Sequence, residues 1–352
     1  QTQPIYDAAL FNDGHGSRFY AAGSYDLLRR DGSAWVSAVH YDQSAVPGVL
    51  RTYDDGTGSA LYLAGSFTSI NGISVQGVAK WDGASVLPVG GGLPGVVYEL
   101  LDANLPGIGS RLVACGASGP AATLAAWDGT AWQTFAAPIQ AATSTPSVRA
   151  MCMFDDGSGP ELFVAGRFSI AGQTPASNIA KWNGSAWTAL GAGVAGGEVY
   201  AMAPFDDGRG PSLFVAGTFT SAGGLAAGFV ARWDGRGWSG VDSGLNGRAL
   251  TIAAFDDGRG PSLWIGGDFT TGGGVNSARL ARRIACRGCY ANSDNSTGPG
   301  GLPTLSVADF ACYLNRFAAG DPAANCDASS AAPTLNVLDF ICFLNRFAAG
   351  CP

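Results

Sequence analysis

Apolar residues along the first 283 positions come in short runs separated by turn residues, and these runs repeat. The segment FDDGRGPSLFVAGTF, residues 205–219, returns almost unchanged as FDDGRGPSLWIGGDF, residues 255–269. A glycine after the second apolar run marks each copy, at spacings of 42, 51, 50, 51 and 50 residues. Six copies therefore fill this region, with their glycines at Gly23, Gly65, Gly116, Gly166, Gly217 and Gly267.

Each full copy has the pattern of four short strands. In the fifth copy these are VYAMAPF, SLFVAGTF, GFVARW and GWSGVDSG, with turns at DDGRG and at a DG dipeptide. Asp-Gly permits the positive backbone angles of a two-residue hairpin turn. The first and third copies are eroded. The sixth has Arg283 where a Trp is expected and lacks the fourth strand, so its third strand is predicted to be an exposed edge.

Four antiparallel strands in about 40–50 residues, with a recurring Trp and Gly, are typical of a β-propeller blade. A single sheet that is apolar on both faces must stack against neighbours to hide them. Four tryptophans at one blade position are predicted to be buried against the next blade, and the Ala-Gly pair of the second strand to leave space for the ring. These tryptophans are Trp81, Trp127, Trp182 and Trp233.

The repeated LFVAG.F and W[DN]G..W patterns resemble those of bacterial secreted β-propellers. The resemblance implies an all-β fold over residues 1–285, a six-bladed propeller of four-stranded antiparallel blades. It carries little information about activity, because propellers host many functions.

The C-terminal segment, residues 286–352, has a different pattern. LSVADFACYLNRFAAGDP, residues 305–322, recurs as LNVLDFICFLNRFAAGCP, residues 335–352, with apolar positions three and four apart that predict short amphipathic helices. Side-chain oxygens at alternate loop residues before each helix, with an aspartate in its first turn, match the way a calcium loop wraps its ion. The candidate ligands are Asn292, Asp294, Ser296 and Asp309 in one loop and Asn325, Asp327, Ser329 and Asp339 in the other.

This paired arrangement resembles a dockerin, the duplicated calcium module at the C-terminus of many secreted bacterial proteins. The loops depart from the dockerin pattern, since each keeps only two acidic ligands, so weak calcium binding is expected. The alternative is a loop held by disulfides alone. Six of the eight cysteines follow residue 285, an even and dense set that indicates disulfides in an oxidising compartment. The Cys286-x-x-Cys289 pair lacks the second pair that a zinc site needs.

Charge and hydropathy limit the classes of partner that the chain is expected to bind. The net charge is -7 with no basic stripe, which argues against nucleic acid. No run of 18 apolar residues occurs, so no membrane span is predicted. The chain begins at Gln1 without a charged-then-apolar leader, as in a secreted protein whose signal peptide has been removed. An extracellular location is therefore expected.

Other candidate sites are weaker. Adjacent aspartates in the DDG turns form either local turn contacts or shallow ion sites. A second Trp set either packs between blades or stacks on sugars; it comprises Trp35, Trp132, Trp187 and Trp238. Cys115 and Cys152 form either a bridge or two core thiols. The only histidines, His15 and His40, give no Ser-His-Asp set.

These observations favour a non-enzymatic extracellular protein that joins protein to protein. Its partner is another protein or copies of itself, assembled into a fibre or layer through the tail or the incomplete last blade. Two alternatives stay open. One is a glycan-binding propeller that recognises a polysaccharide, and the other is a hydrolase or lyase acting at the central mouth of a propeller.

Overall fold

The computed structural model describes residues 4–42, 45–207, 209–241, 243–256, 261–277 and 279–284. Within these ranges the chain is all-β, with no helix, which confirms the predicted class. Residues 286–352, the predicted dockerin-like segment, lie outside the described residues.

The main strands form six antiparallel sheets in chain order, each with neighbouring strands adjacent. Five have four strands and the sixth has three within the described residues. The first sheet comprises Ile5–Asn12, Ser17–Gly23, Asp26–Asp31 and Ala34–His40; the second Val46–Asp54, Ser59–Ser66, Val78–Trp81 and Val86–Pro88; the third Val96–Leu105, Gly109–Ala117, Leu124–Trp127 and Trp132–Gln133. The fourth comprises Ser147–Asp155, Pro160–Arg167, Ile179–Trp182 and Trp187–Ala189; the fifth Val199–Asp206, Pro211–Gly217, Val230–Trp233 and Trp238–Gly240; the sixth Arg248–Asp256, Pro261–Asp268 and Leu280–Ile284.

Short two-residue strands connect one sheet to the next. Ile139–Gln140, which follows the third sheet, pairs with Ile170–Ala171 in the loop of the fourth. Val194–Ala195 pairs in the same way with Ser221–Ala222 in the loop of the fifth. The remaining short strands are Thr174–Pro175, Leu225–Ala226, Ser69–Ile70, Ile73–Ser74, Thr271–Gly272 and Val275–Asn276. These pairings were not predicted from the sequence.

The repeated glycine lies opposite an irregularity in the first strand of its sheet. In the fifth sheet the register shifts between Val199 and Ala201, opposite Gly217. A Cβ at Gly217 would lie 2.0 Å from the carbonyl oxygen of Glu198, and the equivalent glycines of the second, third, fourth and sixth sheets meet a carbonyl in the same way. The glycine is therefore required by the close approach of two backbones at a bulge, and the expectation that it makes room for a Trp ring was wrong.

Consecutive sheets stack on one another through their first and second strands, and the core lies between them as a series of apolar layers. The four predicted tryptophans are buried, as expected. They pack against the preceding sheet, however, and not the next one: Trp182 lies in a layer with Val113 of the third sheet, and Trp233 with Phe163 of the fourth. The direction was wrong because strand patterning fixes which residues share a face but not the order in which sheets stack.

Candidate interaction surfaces

Each of the four inner sheets has one face toward the following sheet and one toward the preceding sheet. Between the fifth and sixth sheets, for example, Phe205 and Phe214 of the fifth pack with Leu263 and Ile265 of the sixth. Among the described residues, the first sheet has no preceding neighbour, the sixth has no following one, and no substantial contact joins the two. One apolar face of each of these two sheets is therefore left without a covering sheet in the described part of the chain.

The apolar residues of the sixth-sheet face are Ala253, Phe255, Trp264 and Leu280. The strand register places Thr251, Ser262 and Arg282 on the same side, and the Arg282 guanidinium lies 5.2 Å from the centre of the Trp264 ring. Phe255 is 60% exposed, whereas Phe205 at the same position of the fifth sheet is 7% exposed. Leu280 is 54% exposed, against 1% for its counterpart Val230. Covering an apolar side chain of this size contributes about 1.5–3 kcal/mol, so exposing two of them is unfavourable.

The first-sheet face consists of Ala8, Leu10, Phe19 and Trp35. Leu10 pairs with Phe19 across the first two strands, and Trp35 continues the same row through Arg30, whose guanidinium lies 5.5 Å from the indole centre. The three large residues are 55%, 54% and 45% exposed in sequence order. Leu61, which has the position of Phe19 in the second sheet, is fully buried against the first sheet.

Internal interfaces show how two such faces meet. Cys152 of the fourth sheet places its Sγ 3.3 Å from the Sδ of Met202 in the fifth. Polar groups at the rim add cross-sheet hydrogen bonds: the Leu50 amide donates to Asp7 at 2.8 Å, and the Met151 amide donates to Glu99 at 2.5 Å. Burial is the main cause that raises the pKa of Glu99 to about 7.

The DDG turns of the fourth and fifth sheets bring a buried charge to the interface with the following sheet. The first aspartate of the fourth-sheet turn, Asp155, accepts from the Gly157 and Gly159 amides and holds the turn closed. The second, Asp156, accepts from Lys181 at 2.8 Å and from the Trp233 indole of the next sheet at 3.1 Å. Burial alone would raise the pKa of Asp156, but these hydrogen bonds outweigh it and lower that pKa. The aspartates of this turn therefore make structural contacts, which is the first of the two alternatives that the sequence left open.

Arg283 explains the missing Trp of the sixth copy. Its guanidinium donates to Asp207 of the fifth-sheet turn at 2.8 Å, in the place where Trp233 donates to Asp156. The third sheet carries neither partner of the charge pair: its hairpin, residues 105–109, has no acidic residue, and Ala126 occupies the position of Lys181. Acid and base are therefore present together or absent together along the array.

The second Trp set is engaged in packing. The indoles of Trp132, Trp187 and Trp238 donate to the carbonyls of Val89, Ala137 and Leu190, at 3.2, 3.0 and 2.7 Å. Each acceptor lies in the preceding repeat. Among these four, only Trp35, on the first-sheet face, is exposed, with 45% of its surface open to solvent.

Four residues at the first-strand irregularities line a cavity of about 290 Å³: Tyr98, Arg149, Tyr200 and Leu250. The Arg149 guanidinium lies between the two tyrosine rings, 4.5 Å and 5.0 Å from their centres. Its Nε donates to Glu198 at 3.1 Å. The cavity combines aromatic walls with one ion pair.

Cys115 and Cys152 are two buried free thiols, one of the two predicted alternatives. Burial raises the pKa of both thiols, so neither is a ready nucleophile. No group of three or more His, Cys, Asp or Glu that could hold a metal occurs in the described part of the chain. No helix there is long and apolar enough to cross a membrane. The predicted calcium ligands, Asn292, Asp294, Ser296, Asp309, Asn325, Asp327, Ser329 and Asp339, lie outside the described residues.

Sequence reasoning missed the two apolar faces as sites. Phe205 and Phe255 sit in nearly identical fifteen-residue segments, so local pattern does not separate the buried ring from the exposed one. The available signal was position: the first and last copies of a stacked array each lack one neighbour.

The fold and these faces define an all-β repeat protein of stacked, mostly four-stranded antiparallel sheets. No protein-family model matches the chain, and no curated protein matches it. Among solved structures, it is similar to the extracellular domain of a one component system from B. thetaiotaomicron, with 11% identity and a TM-score of 0.47. That match covers 80% of this chain and 32% of the other, so the chain spans about a third of that structure. It is also similar to the Chaetomium thermophilum Polycomb Repressive Complex 2 in a humanized mutant bound to an inhibitor, at 13% identity and a TM-score of 0.41, covering 74% and 66% of the two chains.

Proposed function

We propose that this chain is an extracellular, non-enzymatic interaction protein, built as a six-bladed β-propeller that is open between its first and sixth blades within the described residues, and followed by a dockerin-like tail. The support for the propeller is the sixfold repeat, the one-sheet-per-repeat architecture and the stacking of sheets in chain order. The support for an extracellular location is the cluster of six cysteines after residue 285.

Association is the activity that the described residues favour most. The observation that carries it is the contrast between Phe255, which is exposed, and Phe205, which is buried in the same repeat position. Exposed apolar surface of this kind, flanked by polar residues, marks protein–protein contact sites in soluble proteins. Its role in this protein is to join the chain to a protein partner, which is another protein or a copy of itself.

Sedimentation velocity of the full-length chain over a range of concentrations tests this proposal. The wild type should form species larger than one chain, and the Phe19→Ser/Phe255→Ser variant should lose them. Leu225→Ser is the matched control, because Leu225 is equally exposed but lies in a loop strand away from both faces. A single-chain species at every concentration for the wild type contradicts the proposal.

The tail is proposed to bind calcium weakly through its two loops and to serve as a second attachment point. Titration calorimetry of the full-length chain with calcium should give heat, and Asp294→Ala/Asp327→Ala should abolish it. Absence of heat in the wild type, together with an unchanged melting temperature, leaves the loops held by disulfides alone.

A glycan-binding function is the second candidate, and the cavity at Tyr98, Arg149 and Tyr200 is the observation that favours it. Aromatic rings beside a guanidinium are suited to a sugar that carries a carboxylate. Retention on a uronate-containing polysaccharide column that is lost in Tyr98→Ala, but kept in Phe255→Ser, supports this candidate. Equal elution of all three chains rejects it.

A further inference from the structure

We infer that the occupant of the two open faces is a second copy of this chain, joined head to tail, with the sixth-sheet face of one copy packed on the first-sheet face of the next. This inference rests on the proposed function, because it names the partner of the same surfaces. Within one chain, five interfaces join consecutive sheets. Each of them packs the face that corresponds to the sixth-sheet face on the face that corresponds to the first-sheet face.

The two open faces carry the positions that meet at those internal interfaces. Phe205 packs in one layer with Leu263, and their counterparts at the ends of the array are Phe255 and Phe19. Cys152 contacts Met202, and the counterparts of this pair are Ala253 and Ala8. Stacking two copies head to tail therefore repeats an interface that the fold builds five times.

Closure within one chain does not account for the faces. Phe255, Leu280, Leu10 and Phe19 all keep about half or more of their surface exposed in the same molecule. If the two faces covered each other, these residues would be as buried as Phe205 and Leu61. The partner surface must therefore come from elsewhere.

The contact is heterologous, since two different patches meet. Such contacts add further copies without a fixed limit unless a rotation closes the assembly. This predicts an open row of copies, in which residue 8 of one chain meets residue 253 of another and never meets another residue 8.

A cysteine pair tests this geometry in the full-length protein. Chains with Ala8→Cys and one tag are mixed with chains with Ala253→Cys and a second tag, and the thiols are oxidised with diamide. About tenfold more mixed-tag dimer is expected than from an Ala34→Cys chain mixed with the Ala253→Cys chain, because docking raises the local concentration of the two thiols. Ala34 is the matched control, since it is an exposed alanine of the same sheet that starts the edge strand.

An internal control checks the distance. Met202→Cys should join Cys152 within one chain, since the two side chains already touch. The Ala8→Cys chain alone should give no dimer above the wild-type background from native cysteines, as expected for a head-to-tail contact. Adding Phe255→Ser to the Ala253→Cys chain should remove the mixed-tag dimer while leaving the far-ultraviolet circular dichroism unchanged.

Four results overturn the inference. A doubly substituted Ala8→Cys/Ala253→Cys chain that forms only an internal bond shows closure within one molecule. Peptide mapping that finds the thiol introduced by Ala8→Cys bonded to a cysteine of residues 286–352 assigns the face to the tail. Larger species in sedimentation without any 8–253 bond leave the proposed association standing but reject the head-to-tail arrangement; absence of larger species rejects both.

Discussion

The fifth and sixth sheets are a natural matched pair within one molecule. Their segments 205–219 and 255–269 differ at four of fifteen positions, and both place a phenylalanine just before the DDG turn. In the fifth sheet that ring lies in an apolar layer and makes an edge contact with Phe214 at 5.9 Å. In the sixth the equivalent ring faces outward. The difference teaches that burial in this fold is assigned by the neighbour, and not by the segment itself.

The strongest way to break this comparison is to truncate both rings. Phe205→Ala should lower the free energy of unfolding by about 3–5 kcal/mol, because it leaves a cavity in a packed layer. Phe255→Ala should cost less than about 1 kcal/mol under conditions where the chain does not associate. Urea denaturation of both variants at low protein concentration measures the two values. Equal losses would mean that the sixth-sheet face is covered in the free chain.

A buried carboxyl group offers a second comparison between an internal interface and the sixth-sheet face. Glu99 holds the interface position that Thr251 has on the sixth-sheet face, and burial raises its pKa from 4.5 to about 7. A folded pKa above the unfolded one means that the native state holds its proton more tightly. Stability from this group is therefore fully present below about pH 4.5 and is lost as the pH rises through about 7, by about 3–3.5 kcal/mol.

Glu99→Gln should remove this dependence of stability on pH. Urea denaturation of the wild type and the variant at several pH values measures it. Thr251→Glu is the counterpart on the open face. Its carboxyl should titrate near the ordinary value, so stability should stay flat over the same interval. A steep fall of the free energy of unfolding with pH in the Thr251→Glu chain would show that the sixth-sheet face, too, is shielded from solvent.

Buried ion pairs give a smaller effect. Lys181 lies 2.8 Å from Asp156 and 2.7 Å from Glu161, and all three side chains are nearly buried. Lys181→Met should cost about 2 kcal/mol, since it leaves two carboxylates without their cation; this is less than the roughly 3–5 kcal/mol of a fully buried pair, because Lys181 and Glu161 keep some exposure. His40→Gln in the first sheet, where the His40–Asp26 pair is exposed, should cost less than about 0.5 kcal/mol. Thermal denaturation at neutral pH compares the two, and similar costs would contradict the assigned burial.

The smallest expected effect concerns two equivalent tryptophans. Trp238→Phe removes the hydrogen bond to the Leu190 carbonyl and should cost about 1 kcal/mol. Trp35→Phe on the first-sheet face should be nearly neutral in the free chain. If Trp35→Phe instead weakens self-association measured by sedimentation, the ring contributes to the contact between copies.

The sequence predicts the repeats and the four strands of the first five copies, because these depend on local patterns. The missing fourth strand of the sixth copy stays a prediction, since the chain after residue 284 lies outside the described residues. The sequence does not predict the direction in which Trp182 packs, since the stacking order of sheets is a long-range property. It also does not predict why a glycine is required at position 217, because a bulge is formed by two strands together. The open faces at Phe19 and Phe255 depend on what is missing beside them, which no residue type records.

The five interfaces all join the same two kinds of surface. No contact within them fixes how many copies the array contains. A chain with one copy fewer or one copy more would satisfy the same layers, the same turn aspartates and the same cross-sheet pairings. Duplication or loss of a segment of about fifty residues, the spacing of the glycines, therefore changes the length of the array without requiring any new contact. In genetic terms the architecture is tolerant of unequal recombination, and its copy number is free to drift while its joints stay fixed.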